Sequence, residues 1–219
     1  MAQGLNIVGE RWALLVVREL LLGPKRFSRL RSDLPGISPN VLSQRLTELE
    51  SAGVVRRRKL APPADAWVYE LTDWGADLES VIIQLGRWGA SSPTFNHEQG
   101  LSVTSAVLAQ RTMFQPEAAA SIQLNVGMML EGQSFHAQVN SEYLRIEPAS
   151  AASAAEMDVT LATDAKTLAS LLFTERKLTD AVDAGEAVVH GDATAVEQYL
   201  ALFRLPQPTP LLNGDVGRC

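Results

Sequence analysis

Ser38-Pro39-Asn40-Val41-Leu42-Ser43-Gln44-Arg45-Leu46-Thr47-Glu48-Leu49-Glu50 is the stretch that decides the fold. A serine followed by proline is a strong helix start. The hydroxyl can cap a free amide, and proline suits the first helical position, where no N–H is needed. Leu42, Leu46 and Leu49 share one face at helical spacing, and the run ends near Ala52, before Gly53. Asn40, Ser43, Gln44 and Thr47 share the opposite face. Such short polar side chains can reach base edges in a DNA groove without clashing with its floor. An ordinary amphipathic helix carries similar residues on its wet side, so the neighbouring sequence has to discriminate.

Working outward, Pro35-Gly36 makes a turn, and a short helix is expected before it from Ser28, as N-cap, to Leu34. Before that, Glu10 to Leu22 reads as a helix buried nearly all round, stopped by Gly23-Pro24. Downstream, Val54 to Leu60 and Trp67 to Leu71 read as two strands joined by a Pro-rich tip, and the first strand carries Arg56-Arg57-Arg58-Lys59. Three short helices followed by a basic hairpin are the order of a winged helix-turn-helix. The candidate DNA contacts are Lys25, Arg26, Ser38, Asn40, Ser43, Gln44, Thr47, Arg57 and Arg58.

Charge agrees with that reading. The 219 residues carry a net charge of −6, yet residues 25–59 hold nine basic side chains against three acidic ones. A local basic field can meet phosphates even on an acidic protein. The apolar share of 46% and charged share of 20% suit a globular chain. No apolar run is long enough to span a membrane, and Met1 to Trp12 lacks the pattern of a signal peptide. The single cysteine, Cys219, allows no intrachain disulfide, and the expected compartment is a prokaryotic cytoplasm. After the hairpin, Thr72-Asp73 is expected to cap one long helix reaching Trp88. Its stripe of Trp74, Leu78, Val81, Ile82, Leu85 and Trp88 exceeds what a small head needs to cover itself. The stripe is read as a homodimer seam, the alternative being packing against a second domain.

Residues 5–90 resemble the HxlR-type winged helix-turn-helix regulators. The resemblance rests on Val8-Gly9-Glu10-Arg11-Trp12, on Leu20 to Phe27, on Leu34 to Leu46, and on Glu48-Leu49-Glu50, Gly53-Val54-Val55 and Tyr69-Glu70-Leu71-Thr72. It implies a homodimer that binds double-stranded operator DNA and represses or activates nearby genes. Members of that family usually carry a further N-terminal helical segment, often with a cysteine. Here that cysteine is absent, so thiol-based sensing is not expected.

The second half reads differently. Ser91 to Thr94 is a plausible linker, and Leu101 to Met113 a helix. Ser121 to Leu130, Ser134 to Val139, Tyr143 to Glu147 and Met157 to Leu161 alternate with period two, as a four-strand antiparallel meander would. Helices Asp164 to Phe173, Lys177 to Ala184 and Asp192 to Phe203 follow, with a short strand Ala187 to His190 among them. The expected architecture is therefore two domains: a mainly α winged helix-turn-helix head at 1–92, then an α+β domain at 96–205, an antiparallel sheet with helices on one face. A loose Pro-rich tail follows at 206–219.

This half resembles, more weakly, the sterol carrier protein type 2-like lipid-binding domains. The resemblance lies in Asp158 to Leu161, Leu168 to Leu172, Leu178 to Ala181 and Ala187 to Asp192. It implies an apolar cavity between sheet and helices, with Val126, Met128, Leu172 and Phe203 as candidate pocket residues and a small apolar ligand as partner. His97, His136 and His190 lack metal-ligand spacing, and neither a phosphate loop nor a nucleophile elbow is present, so no cofactor, metal or catalytic residue is expected. The combined expectation is a non-enzymatic, homodimeric transcription regulator, a repressor, responsive to a small apolar ligand. The alternative is a lipid or small-molecule carrier whose head serves only to dimerise.

Overall fold

A computed structural model of the chain describes residues 1–95, 101–150 and 157–210. His97 and Cys219 lie outside the described residues, as does the end of the expected tail.

The head begins with a helix not expected from sequence, α1 (Ala2–Val8), which packs on α2 (Arg11–Leu20). The Gly-containing segment Ala2-Gln3-Gly4-Leu5-Asn6-Ile7-Val8 has no caps and little amphipathic signal, which is why it escapes a pattern reading. Helix α2 buries Ala13, Val16, Val17 and Leu20, whereas Trp12, Leu14 and Leu15 are only half-buried. It also buries Glu19 completely. Helix α3 (Phe27–Asp33) starts two residues earlier than expected: Arg26 rather than Ser28 occupies its N-cap, without a side-chain cap bond. In α4 (Pro39–Ser51) the Ser38 hydroxyl accepts from the Val41 amide at 3.3 Å. Leu42, Leu46 and Leu49 are buried, and truncating any of them to alanine costs roughly 2–5 kcal/mol. Gly53 follows at φ +76°, a left-handed conformation that suits glycine.

Strands β1 (Val55–Lys59) and β2 (Trp67–Leu71) form the antiparallel hairpin, pairing Arg57 with Tyr69 and Lys59 with Trp67. The Lys25 backbone adds a bridge to Tyr69, exchanging N–H···O bonds of 3.0 and 2.8 Å. The expected long helix is divided at Asp77 into α5 (Asp73–Ala76), capped by Thr72, and α6 (Leu78–Ala90). The Thr72 hydroxyl also donates to the Gly53 carbonyl at 2.7 Å. A Cβ at Gly75 would stand 2.1 Å from the Val54 carbonyl, so the helix root is pressed against the entrance to the wing.

In the second half, α7 (Val103–Met113) precedes β3 (Leu124–Leu130), β4 (Gln133–Val139), β5 (Leu144–Pro148) and β6 (Val159–Thr163). Then come α8 (Ala165–Phe173), α9 (Leu178–Asp183), β7 (Ala187–His190) and α10 (Ala193–Leu200). The sheet order is β5-β4-β3-β6-β7. This corrects the all-antiparallel meander: β6 does not follow β5 but lies parallel to β3, Val126 opposite Val159, so the sheet is mixed and has five strands. Alternation reveals that a segment is a strand but not which neighbour it pairs with. The inner face, with Val126, Met128, Leu130, Phe135, Ala137, Ile146 and Leu161, packs with the buried faces of the helices in one core cluster. A separate cluster, from Ala13 to Val55, holds the head together.

Candidate nucleic-acid interface and interdomain site

The structure arranges the candidate contacts unevenly. Asn40, Ser43, Gln44 and Thr47 all lie on the exposed face of α4, with Ser38 exposed at its start. Gln44 donates to Glu48 at 2.9 Å, and the Thr47 hydroxyl donates to the Ser43 carbonyl at 3.0 Å. Arg26 is exposed, and its guanidinium reaches the Ala64 carbonyl of the wing tip at 3.4 Å. Arg57 lies over the Trp67 ring, 4.5 Å from its centroid, and its guanidinium has no hydrogen-bond partner among the described residues, so its donors can meet an anion.

Arg58 is on the other face of the wing. Its Nε and Nη2 donate to the Glu70 carboxylate at 2.9 and 2.8 Å, and Arg56 donates to the same group at 2.7 Å. The Arg58 hydrogen bond, joined by that of Arg56 and outweighing the opposing effect of burial, holds the Glu70 carboxyl down to about 2. Part of the basic run is thus neutralised within the protein.

Lys25 requires a correction. Its side chain is only 10% exposed and its ammonium donates to Glu19 at 2.8 Å, Asp33 at 2.6 Å and Thr104 at 2.9 Å. An ammonium has three protons, and all three are committed, so Lys25 is not available to clamp a phosphate. It forms the centre of a buried polar cluster instead. Burial alone would push the Glu19 carboxyl up. The charges of Lys25 and Arg18, with hydrogen bonds from Lys25 and Ser102, outweigh it and leave Glu19 below its ordinary value. Because Ser102 and Thr104 belong to the start of α7, the cluster joins the head to the second half. Sequence reading missed Glu19, although a carboxylate set among Val16, Val17 and Leu20 signals a required cationic partner.

The expected seam also divides. Trp74, Val81, Leu85 and Trp88 are exposed, Trp88 at 74%, whereas Leu78 and Ile82 pack on the head's own core. The four candidate pocket residues are buried in the second core: Val126, Met128, Leu172 and Phe203. None of them lines the cleft of about 710 Å³ found instead between α6, α7 and α8. The physical reason is that large apolar side chains from both layers interdigitate between sheet and helices. Leu172 and Phe203 border only an open depression at the outer edge of that layer. Among the described residues no group of His, Cys, Asp and Glu could hold a metal, and no helix is long and apolar enough to cross a membrane. His136 lies on the outer sheet face, its Nε2 3.3 Å from the Asn125 side-chain oxygen.

A capped polar helix seated on a leucine face, with a basic two-stranded wing beside it, defines a winged helix-turn-helix reader. Residues 7–96 match the family described as HxlR-like helix-turn-helix. The chain is 37% identical over 95 residues to the uncharacterized HTH-type transcriptional regulator YvaP of Bacillus subtilis (strain 168), covering 42% of this chain and 88% of that protein. It is 34% identical over 88 residues to the HTH-type transcriptional regulator YodB of the same organism, covering 40% and 79%. The solved reduced form of YodB from B. subtilis is 32% identical, with a TM-score of 0.39, over 43% of this chain and 92% of that one. The chain belongs to the HxlR-like helix-turn-helix family and is a transcription regulator that binds DNA. Residues 101–209 match a second family, described as Alkyl sulfatase C-terminal.

Proposed function

We propose that the protein is a homodimeric repressor that reads a two-fold operator in prokaryotic cytoplasm and answers to a small apolar ligand held by its second half. The observation that carries the DNA reading is the α4 face: Asn40, Ser43, Gln44 and Thr47 stand exposed on a helix anchored by Leu42, Leu46 and Leu49. In this reading these four side chains meet base edges, while Ser38, Arg26 and Arg57 hold phosphates. Trp74, Val81, Leu85 and Trp88 form the dimer seam. The exposure of Val81, Leu85 and Trp88 along α6, with Trp74 on α5 just before it, supports a second copy as the partner, since a patch of this kind is otherwise left in water. The mixed sheet with helices packed on one face supports reading residues 101–209 as a lipid-holding module of the sterol-carrier kind.

The test is fluorescence anisotropy with fragments of the promoters nearest the protein's own gene, measured across a salt series. Saturable binding to one fragment, falling steeply with salt, is expected. Equal affinity for every fragment, or binding insensitive to salt, would remove the reading.

A further inference from the structure

The cleft of about 710 Å³ falls within the range of small-molecule sites, roughly 300–1,000 Å³. It is built where three helices meet without filling the space between them. Helix α6 turns Gly86 toward it, α7 Ala109 and α8 Ala169. Larger apolar groups, Leu108, Met113 and Phe173, form its walls. Methionine, unbranched and flexible, adapts to an aliphatic occupant. A cleft of this composition is costly to leave filled with water.

Its charge is one-sided. Lys166 and Arg18 line it, and no Asp or Glu does among the described residues. Lys166 is exposed and has no hydrogen bond or ion pair among the described residues. Arg18 gives Nε and Nη2 to Glu19, which leaves Nη1 outside that pair. An apolar cleft with cations at its edge fits one chemical class: an aliphatic chain ending in a single anionic group. The chain would lie along Leu108 and Phe173 with its head at Lys166, forming a charge-assisted bond.

We propose that this cleft between α6, α7 and α8 binds an aliphatic carboxylate or sulfate. It deepens the ligand-sensing part of the proposed function by moving the site out of the sheet–helix core to the junction of the two halves. The position matters because Gly86 and Ile82 line the cleft while Val81, Leu85 and Trp88 lie on another, exposed face of the same helix. An occupant therefore presses on the element that carries the proposed seam.

The experiment is titration calorimetry of the full chain, without DNA, with decanoate, decyl sulfate and decan-1-ol, each below its aggregation concentration. Leaving out DNA keeps the outcome independent of the DNA-reading assignment. Saturable binding of one decanoate or decyl sulfate per chain is expected, with decan-1-ol at least about tenfold weaker. Lys166→Gln should reduce binding of the two anions to the level of the alcohol. Gly86→Leu should abolish binding of all three. A Cβ at Gly86 meets only the Thr112 side chain, at 3.7 Å, so the first carbon of the new side chain enters the cleft wall without a backbone clash. Ala109→Phe fills it from the opposite wall and serves if Gly86→Leu melts early. Tighter binding of one anion than the other selects the head group. Absence of saturable binding overturns the site, and so does equal affinity for the alcohol. Binding that survives both filling variants places the ligand elsewhere and overturns it as well.

Discussion

Two residues on the basic stretch, Lys25 and Arg57, have the same formal charge and opposite fates. Lys25 is sealed among Glu19, Asp33 and Thr104, and Arg57 lies over Trp67 in the open. Lys25→Ala leaves Glu19 buried without its main partner and should destabilise the protein by roughly 3–5 kcal/mol, read by denaturant unfolding. The salt slope of whatever folded protein remains should not change. Arg57→Ala should leave stability within roughly 0.5 kcal/mol. It should weaken all DNA sequences about equally and make the salt slope shallower by about one unit per head. Equal behaviour of the two variants would contradict the assignment. Gln44→Ala is distinct again: a loss of about 1–3 kcal/mol on the specific site, with relaxed base choice at one position. A charge count over residues 25–59 could not separate Lys25 from Arg57, because the difference lies in partners 6, 8 and 79 positions away. The α4 face was legible because all its determinants sit within one helix.

At the scale of elements, the proposed function turns on the wing and α6. Glu70 ties Arg56 and Arg58 to one face of the wing and sits well below an ordinary carboxylate. A carboxyl with a lowered folded value stabilises the fold fully above its unfolded value, near 4.5, and loses that contribution as pH falls through about 2. Glu70→Gln should therefore flatten the acid limb of the stability curve between those values. It should also free two guanidinium groups, so that DNA affinity at pH 7 rises and the salt dependence steepens. An unchanged salt slope would show that Arg56 and Arg58 point away from the phosphates even when released. For α6, Val81→Glu and Leu85→Glu should each convert a dimer into a monomer by light scattering. Operator binding should weaken with it, since the two heads would no longer read half-sites spaced about 34–36 Å or a multiple. A surviving dimer would put the seam elsewhere. Sequence periodicity placed most helices and strands within a few residues. It failed where pairing is non-local, at the parallel β3–β6 contact, and where a helix lacks caps, at α1.

At the scale of the whole molecule, the two halves are joined by polar groups that pair across the junction. The Ser102 hydroxyl donates to Glu19 at 2.7 Å, Lys25 reaches Thr104, and Arg87 of α6 gives Nε and Nη2 to the Thr112 carbonyl at 3.1 and 2.7 Å. Arg111 of α7 bridges Glu79 of α6 and the Ile146 carbonyl of β5. A composition shift and a linker-like Ser91 to Thr94 point to a boundary in the sequence, but they do not reveal that α7 contacts both sides of it. Pulling the halves apart would strip Glu19 of the Ser102 bond and Lys25 of the Thr104 bond. The cost of leaving such buried groups unpaired opposes independent opening. Calorimetry should therefore record one unfolding transition whose van't Hoff and calorimetric enthalpies agree. Acid should weaken the junction, with a definite sign. The folded-state value of Glu19 lies below the ordinary 4.5, so its contribution is present above that value and is lost as pH falls further. In Glu19→Gln this acid dependence should shrink, at the price of lower stability at pH 7, where Lys25 loses an ionic partner. The combined variant Ser102→Ala, Thr104→Val, Arg87→Met, Arg111→Met keeps Glu19 and Lys25 paired but removes these polar links between the halves. It should split the single transition into two, with the midpoints separating further as pH is lowered. Two transitions in the unmodified protein would mean that the halves fold independently, and an occupant of the α6–α7–α8 cleft would then have no rigid path to the reading heads.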